Sequence, residues 1–402
     1  MTRLFTPVPY VEEFWADDHN LCLSSPPYSA EAINSELVLQ ELSPLELGSI
    51  DDADPLWSPT LSFLYKSSLV SISLGQRVWG RKQPVYGFNG LVQGAIKLSR
   101  KCTHIVRLEV SLLGRVKVFA SNRAMISQVV DYNIVSYPVV LSSPPPGQFT
   151  PTEECFPFSI PFPSFVKGGT SPLPPSCATW SSTFSSEVEY CVTVDVYRKG
   201  LRRHELRVIP IMYLPKSWPS HPTPRRDSAF DFRPAPGAYR TIALPPVWPN
   251  DACPVANVKV TMPTLCFPSG VTYSSGDLIP LKVTVQSSEA PALVELLMQG
   301  VEAQLVKQTI AWAKGGQVLG GREIVVCKGN LIKTDTPQEG FAVSYFGLAL
   351  GEPGKEQSWR VADMVEMIYL IRVTIRCPEG AGNFVPTYKH VSRIGLASEP
   401  WG

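Results

Sequence analysis

Apolar and polar side chains alternate with a period of two residues from about residue 61 almost to the end of the chain. The alternation is clearest in HIVRLEVSL (104–112), EVEYCVTVDVYR (187–198) and MVEMIYLIRVTI (364–375). A period of two places one set of side chains on each face of an extended strand, whereas a helix requires a period of 3.6. Because helix-length periodicity is almost absent after residue 61, the pattern predicts an all-β protein built from antiparallel β-sandwiches.

One predicted strand, FPFSIPFPSF (156–165), carries aromatic and aliphatic side chains on one face and prolines on the other. Proline cannot donate a backbone hydrogen bond, so strands that contain it are confined to sheet edges and bulges. We therefore expect an edge strand that is fixed to the core through Phe156, Phe158, Ile160 and Phe162. Outward prolines would also prevent another strand from adding to this edge.

The chain length and the proline distribution predict two sandwiches. A chain of 402 residues is too long for one core, and residues 215–250 are rich in proline and show little alternation. Alternation then resumes in a block that includes ALVELLMQGVEAQLV (292–306). The predicted organisation is a disordered acidic tail at 1–60, a first immunoglobulin-like sandwich at 61–215, a proline-rich linker at 216–251, a second sandwich at 252–397 and a C-terminal tail at 398–402.

Charge is distributed unevenly although the formal net charge is only +1. Residues 1–60 carry eleven acidic residues and a single basic one, for a net charge of −10, which leaves +11 for the remainder of the chain. A flexible tail of this charge, tethered to a basic body, has a high effective concentration near any basic groove. We hypothesise that the tail competes with acidic ligands; the alternative is a tail that only aids solubility.

The densest basic cluster is RKGLRRHELR (198–207), at a predicted hairpin turn. Such turns are often merely solvated, but clustered guanidinium groups also bind phosphates and carboxylates through charge-assisted pairs. Neighbouring predicted strands contribute further cations. The candidate cargo-binding residues are Arg198, Lys199, Arg202, Arg203, Arg207, Lys97, Arg100, Lys101, Arg115 and Lys117. Nucleic acid is not expected as a partner, because the cluster is short and lacks interleaved aromatic residues.

Catalytic, metal-binding and membrane-spanning signals are weak throughout the sequence. The five histidines and nine cysteines have no metal-ligand spacing, and the odd number of scattered cysteines favours reduced cytosolic thiols. The glycine-rich KGGQVLGG (314–321) lacks the following GK[ST] of a phosphate loop and is better interpreted as a hairpin loop. We therefore expect no enzyme activity, no cofactor, no bound metal and at most peripheral association with membranes.

The order of several motifs resembles the arrestin family. FPFSIPFPSF is followed by LPPSCATW (173–180) and EVEYCVTVDVYR, as in the arrestin amino-terminal domain, and GFNGLVQGAIKL (87–98) resembles the part that precedes them. Downstream, VKVTMPTLCFPSGVTYSSGDLIPLKVTVQSS (258–288) resembles the carboxy-terminal domain. The resemblance covers about residues 65–397 and is closest to the α-arrestin type. It implies the arrestin fold of two tandem sandwiches.

The resemblance also implies a function. Arrestin-like adaptors bind acidic or phosphorylated cytosolic tails of membrane proteins, and they link these cargoes to ubiquitination and to endocytic or sorting machinery. Such a protein would be cytoplasmic and would reach the plasma membrane or endosomes transiently. The alternative is a structural subunit of a retromer-like sorting coat, because retromer contains subunits of the same fold.

Recruitment of a HECT-class ubiquitin ligase is a further implication of the α-arrestin type. It typically uses Pro-Pro-x-Tyr motifs, which dock as polyproline II segments on WW domains. In SPPY (25–28) the tyrosine comes one position early, and VPTY (385–388) is the nearest variant. The candidate ligase-recruiting residues are Val385, Pro386 and Tyr388, and direct recruitment remains an open alternative.

Overall fold

Antiparallel strands form almost all of the regular structure in a computed structural model of the chain. The structure describes residue 57 and residues 61–77, 81–121, 128–151, 154–200, 204–219, 239–247, 256–263, 272–313, 316–377 and 385–400. All of these residues belong to one compact unit, 54–402. The predicted disordered tail at 1–60 lies outside the described residues apart from Trp57. The prediction of an all-β fold is confirmed.

Ten strands in residues 62–213 form two sheets. They are β1 (Ser62–Lys66), β2 (Val70–Gln76), β3 (Val85–Tyr86), β4 (Leu91–Leu98), β5 (Ile105–Ala120), β6 (Gln128–Ser142), β7 (Cys155–Pro161), β8 (Cys177–Trp180), β9 (Phe184–Arg198) and β10 (Glu205–Tyr213). One sheet has the order β1-β2-β4-β7. The other has the order β3-β10-β9-β5-β6, and β8 also pairs with β9. Buried side chains from both sheets share one core, so these strands form the first sandwich.

The proline-rich strand is the edge strand that the sequence predicts. β7 ends the order of its sheet and pairs only with β4 among the described strands. Phe158, Ile160 and Phe162 are buried, whereas Pro157 and Pro161 are exposed. The Phe162 ring stacks on Tyr213, with 4.6 Å between the ring centroids. Since each exposed proline lacks an N–H group, this arrangement of β7 deprives no neighbouring strand of a hydrogen bond.

A second set of strands occupies residues 239–397. They are β11 (Tyr239–Leu244), β12 (Pro246–Val247), β13 (Asn257–Pro263), β14 (Thr272–Ser274), β15 (Leu278–Gln286), β16 (Val301–Trp312), β17 (Val318–Lys328), β18 (Asn330–Gln338), β19 (Phe341–Ala349), β20 (Trp359–Val361), β21 (Val365–Ile375) and β22 (Thr387–Ala397). One sheet has the order β11-β13-β15-β19-β18. The other has the order β12-β22-β21-β16-β17, joined by β14 and β20. Their shared core defines the second sandwich.

The first half of ALVELLMQGVEAQLV is a helix rather than an alternating strand, so this prediction is wrong. Helix α1 (Pro291–Gln299) buries Leu293, Val294 and Leu297 on one face, and only then does β16 begin. The signals were Pro291, which suits the first helical turn, and Gly300, which follows the last one. Leu296 lies between the buried positions and Met298 follows the last of them, so the helix has a nearly continuous apolar run that hides the helical period.

The structure describes residues 216–219 and 239–247 of the predicted linker at 216–251. Residues 239–247 form β11 and β12, which both lie at sheet edges, as the proline-rich composition requires. At the other end, Ser217 exchanges hydrogen bonds with Ser398, and Lys216 lies 3.5 Å from Glu399. The end of the first sandwich is thereby joined to the residues that follow β22.

The two sandwiches share apolar packing. The core of the first sandwich includes Ala311, Trp359 and Met367, which belong to strands of the second. Gly320 of β17 faces Phe184 of β9, and a Cβ atom added at Gly320 would lie 3.1 Å from the Phe184 ring. This contact therefore involves Phe184, the first residue of β9. No helix among the described residues is long and apolar enough to cross a membrane.

Candidate functional site

Five predicted cargo-binding residues meet at one end of the first sandwich, which we call the basic tip. They are Lys97, Arg100, Lys101, Arg198 and Lys199. The connection between β4 and β5 meets the turn after β9 there, because the β5–β9 register places Ile105 beside Arg198. The Lys199 backbone N–H donates to the His104 carbonyl at 2.9 Å, and Arg198 Nε donates to the Thr103 carbonyl at 3.0 Å.

The basic tip carries five cations and lies at the end of β9 opposite Phe184, the residue that contacts Gly320 of the second sandwich. Arg198 lies fourteen residues along β9 from Phe184, or about 45 Å at the rise of an extended strand. Lys97, Arg100, Lys101 and Lys199 are exposed. Three nearby carboxylates are engaged by other side chains: Glu109 by Arg107, Asp195 by His204 and Glu205 by Arg207. The tip can therefore attract an anionic ligand. Arg202 and Arg203 lie outside the described residues.

Arg207 lies beside the basic tip in a groove between β1 and β10. Its Nε donates to Glu205 Oε1 at 2.9 Å, and the Ser67 hydroxyl donates to the same oxygen at 2.6 Å. The groove has a volume of about 360 Å³, and Lys66, Arg207 and Val208 contribute to its walls. β3 pairs only with Met212 and Tyr213 of β10. The edge of β10 before Met212 therefore has no strand partner among the described residues, and it could accept an extended peptide.

Arg115 and Lys117 are not part of this site, and the expectation that they extend it is wrong. Both point to Glu189, with Arg115 Nε 3.0 Å and Lys117 Nζ 2.7 Å from its Oε2 atom. Glu189 is nine residues along β9 from Arg198, a distance of about 30 Å in an extended strand. The sequence spacing was misleading because β5 is a sixteen-residue strand that runs from one end of the sandwich to the other.

The carboxyl groups beside Arg115 and Lys117 titrate differently from each other. Burial, together with the charge of Glu189, raises the pKa of Glu187 to about 7. Burial acts in the same direction on Glu189, but the hydrogen bond and charge of Lys117 and the charge of Arg115 outweigh it and lower the pKa of Glu189. Glu187 therefore keeps a proton at mildly acidic pH while Glu189 is ionised.

A Glu187→Gln substitution is expected to remove a pH dependence of stability. The unfolded chain loses the Glu187 proton near pH 4.5 and the folded chain near pH 7, so the stability contributed by Glu187 falls as the pH rises through this window. Glutamine does not titrate. We expect the variant to melt about 2 °C above the wild type at pH 8 and close to it at pH 4, a modest effect because Glu187 is only half-buried.

Thermal unfolding followed by circular dichroism across this pH range measures the effect. Glu189→Gln is the matched control, because it removes the ionised partner of two cations and should lower the melting temperature at pH 8. A Glu187→Gln variant with the same pH slope as the wild type would contradict the assignment.

The candidate ligase-recruiting residues are folded into the second sandwich, so that prediction is corrected. Tyr388 is fully buried in β22, and its hydroxyl donates to the Ala256 carbonyl at 3.0 Å and accepts from the Ala256 N–H at 3.1 Å. Pro386 is also buried, and Val385 is half-buried. A WW domain needs proline and tyrosine on an accessible polyproline II segment. VPTY cannot provide one while β22 remains paired with β12 and β21.

Three further side chains, Tyr197, His204 and Arg107, lie next to the basic tip and are not among the predicted site residues. Tyr197 is 38% exposed, the His204 ring stacks on it at 4.6 Å between centroids, and the Arg107 guanidinium lies 5.8 Å from its ring centroid. Arg107 comes beside Tyr197 only through the β5–β9 register, which the alternation does not reveal. The stacked group adds an exposed aromatic surface and one further cation to this end of the sandwich.

Comparisons with known proteins do not identify the chain: it matches no protein-family model and no curated protein.

Proposed function

We propose that the protein is a non-enzymatic, arrestin-like adaptor that binds acidic or phosphorylated cytosolic tails of membrane proteins. Two observations support the proposal: the tandem arrangement of two all-β sandwiches, and the order of motifs from FPFSIPFPSF to EVEYCVTVDVYR. The observation that carries it is the basic tip beside the open edge of β10. In this role the protein is cytoplasmic, reaches membranes transiently and links its cargo to ubiquitination, endocytic or sorting machinery.

The neighbouring groove suggests how an extended tail could bind. Backbone groups of the peptide would pair with the free edge of β10, while its phosphates or carboxylates would reach Arg198 and the lysines of the tip. Backbone pairing with β10 would give affinity for peptides of many sequences, and the cations of the tip would favour the acidic ones among them. The exposed Leu206 and Val208 side chains on β10 would contact apolar residues of the same peptide.

Neutralising the tip is expected to weaken binding of a phosphorylated peptide. In the double variant Arg198→Gln, Lys101→Gln, two charge-assisted contacts are lost, and affinity should fall about tenfold if each contributes somewhat less than 1 kcal/mol. The loss should be larger at about 50 mM than at about 200 mM NaCl, because salt screens exposed charges. Fluorescence anisotropy with a labelled peptide carrying several phosphoserines measures both effects.

Arg115→Gln, Lys117→Gln provides a matched control, since it removes two cations from the same sheet but far from the tip. We expect its affinity to remain within about twofold of the wild type. If the two double variants lower peptide affinity equally, net charge rather than the basic tip attracts the peptide. No weakening by the first would remove the basis of the proposed function.

A further inference from the structure

A cavity of about 300 Å³ lies where the two sandwiches meet. The first sandwich contributes the segment 175–177 at the start of β8 and residues 214–216 after β10. The second contributes side chains from β16, β20 and β21, together with residues 398–399 beyond β22. Because its walls come from segments that are far apart in the sequence, the cavity exists only when both sandwiches are folded and in contact.

The walls are mostly apolar. Trp359 and Met367 are 8% and 4% exposed, and they belong to the core that the two sandwiches share. Pro175 and Leu214 of the first sandwich also line the cavity. Flat and flexible apolar groups of this kind favour the body of a small organic molecule. The volume is at the lower end of the range of about 300–1,000 Å³ that is typical of small-molecule sites, which excludes a folded partner.

Lys307 is the most enclosed cation on the cavity wall. Its ammonium group lies 3.2 Å from Glu356 Oε2 and 5.9 Å from the centroid of the Tyr369 ring, and its side chain is 27% exposed. The Tyr369 hydroxyl donates to the same carboxylate oxygen. An ammonium group has three donors, and Glu356 is the only acceptor that Lys307 contacts among the described residues. Lys307 therefore keeps hydrogen-bonding capacity toward the cavity.

Each of the three lysines on the cavity wall is paired with a carboxylate: Lys307 with Glu356, Lys216 with Glu399 and Lys355 with Glu352. Of these three acids, only Glu399 lines the cavity itself. Lys216 lies 3.5 Å from Glu399, which is long for an ion pair, and the Lys216 side chain is 65% exposed. Burial and the adjacent Glu356 raise the pKa of Tyr369, so its hydroxyl stays a neutral donor to that carboxylate.

We propose that this cavity binds a small organic anion, with an apolar body against Trp359 and Met367 and a carboxylate or sulfonate paired with Lys307. The proposal is independent of the peptide site at the basic tip. Since both sandwiches contribute to the walls, a bound anion would hold them together and stabilise the folded chain by mass action.

The matched dyes 1-anilinonaphthalene-8-sulfonate and N-phenyl-1-naphthylamine, which differ in the sulfonate group, test the proposal on the full chain. We expect saturable, one-to-one binding of the sulfonate dye by fluorescence titration and a rise of a few degrees in melting temperature. Lys307→Met should lower the affinity for the sulfonate dye at least tenfold and the affinity for the neutral dye less than twofold. Lys307→Arg, which keeps the charge, should restore most of the affinity and shows that the loss does not come from misfolding.

Two further variants complete the test. Leu214→Trp narrows the cavity and should lower the affinity for both dyes. Lys328→Met is the control, because Lys328 is an exposed lysine of β17 that pairs with Glu302 and is absent from the cavity wall. The inference is overturned if sulfonate-dye binding does not saturate, or if Lys307→Met and Lys328→Met weaken it equally.

Discussion

Replacing Tyr190 with alanine is expected to lower the free energy of unfolding by about 4 kcal/mol. Tyr190 is 2% exposed in the core of the first sandwich, and its ring lies 5.7 Å from that of Phe162 and 5.3 Å from that of Tyr213 between centroids. Its hydroxyl donates to the Pro174 carbonyl at 2.7 Å. Alanine would leave a large cavity among these rings and a buried carbonyl without its donor, and both effects destabilise the fold.

Urea denaturation followed by tryptophan fluorescence measures the loss. Tyr190→Phe keeps the ring and should cost only about 1 kcal/mol, the contribution of one hydrogen bond. Tyr197→Ala is the matched control, since Tyr197 lies on the same strand but is 38% exposed. If the two alanine variants lose similar stability, Tyr190 is not the centre of this core.

Gly300→Ala is expected to cost about 3 kcal/mol, although alanine is usually a mild replacement for glycine. Gly300 joins α1 to β16, and its N–H donates to the Leu297 carbonyl while its own carbonyl accepts from the Arg376 N–H, each at 3.1 Å. A Cβ atom at this position would lie 1.5 Å from the Arg376 carbonyl oxygen, so the backbone must move. Gly300 has φ −107°, so the cost is one of space and not of backbone conformation.

Gly169→Ala is the control for this prediction. The nearest atom to a Cβ added at Gly169 would be 3.8 Å away, so we expect the free energy of unfolding to change by no more than about 0.5 kcal/mol. Thermal unfolding of both variants by circular dichroism provides the comparison. A Gly300→Ala variant as stable as Gly169→Ala would mean that the connection between α1 and β16 can shift without loss.

The sequence predicts strands well where burial of one face determines the pattern. β7 shows this most clearly, because aromatic residues on one face and prolines on the other fit only a sheet edge. The alternation also predicts β21 correctly as a strand, but both of its faces are buried. Glu366 and Arg372 make one face look exposed in the sequence, whereas in the structure they pair with Arg393 and Glu323. Burial of both faces depends on tertiary neighbours, which a local pattern does not contain.

The candidate site was predictable only in part, because its composition depends on strand register. Arg198 and Lys199 are neighbours in sequence, and their position at a turn follows from the β9–β10 hairpin that the sequence predicts. By contrast, the separation of Arg115 from the tip depends on which residue of β9 lies opposite each residue of β5. The burial of Tyr388 likewise depends on Ala256, which is 132 residues away in the chain.

Phe184 of the first sandwich belongs to the same apolar core as Trp359 and Met367 of the second, and this has a practical consequence for how the molecule can be divided. Cutting the chain in the region between the sandwiches would expose this surface on both fragments, and exposed apolar patches promote self-association. A wide hinge opening between the two sandwiches would expose the same side chains to water, so we expect any motion between them to be limited to small sliding adjustments.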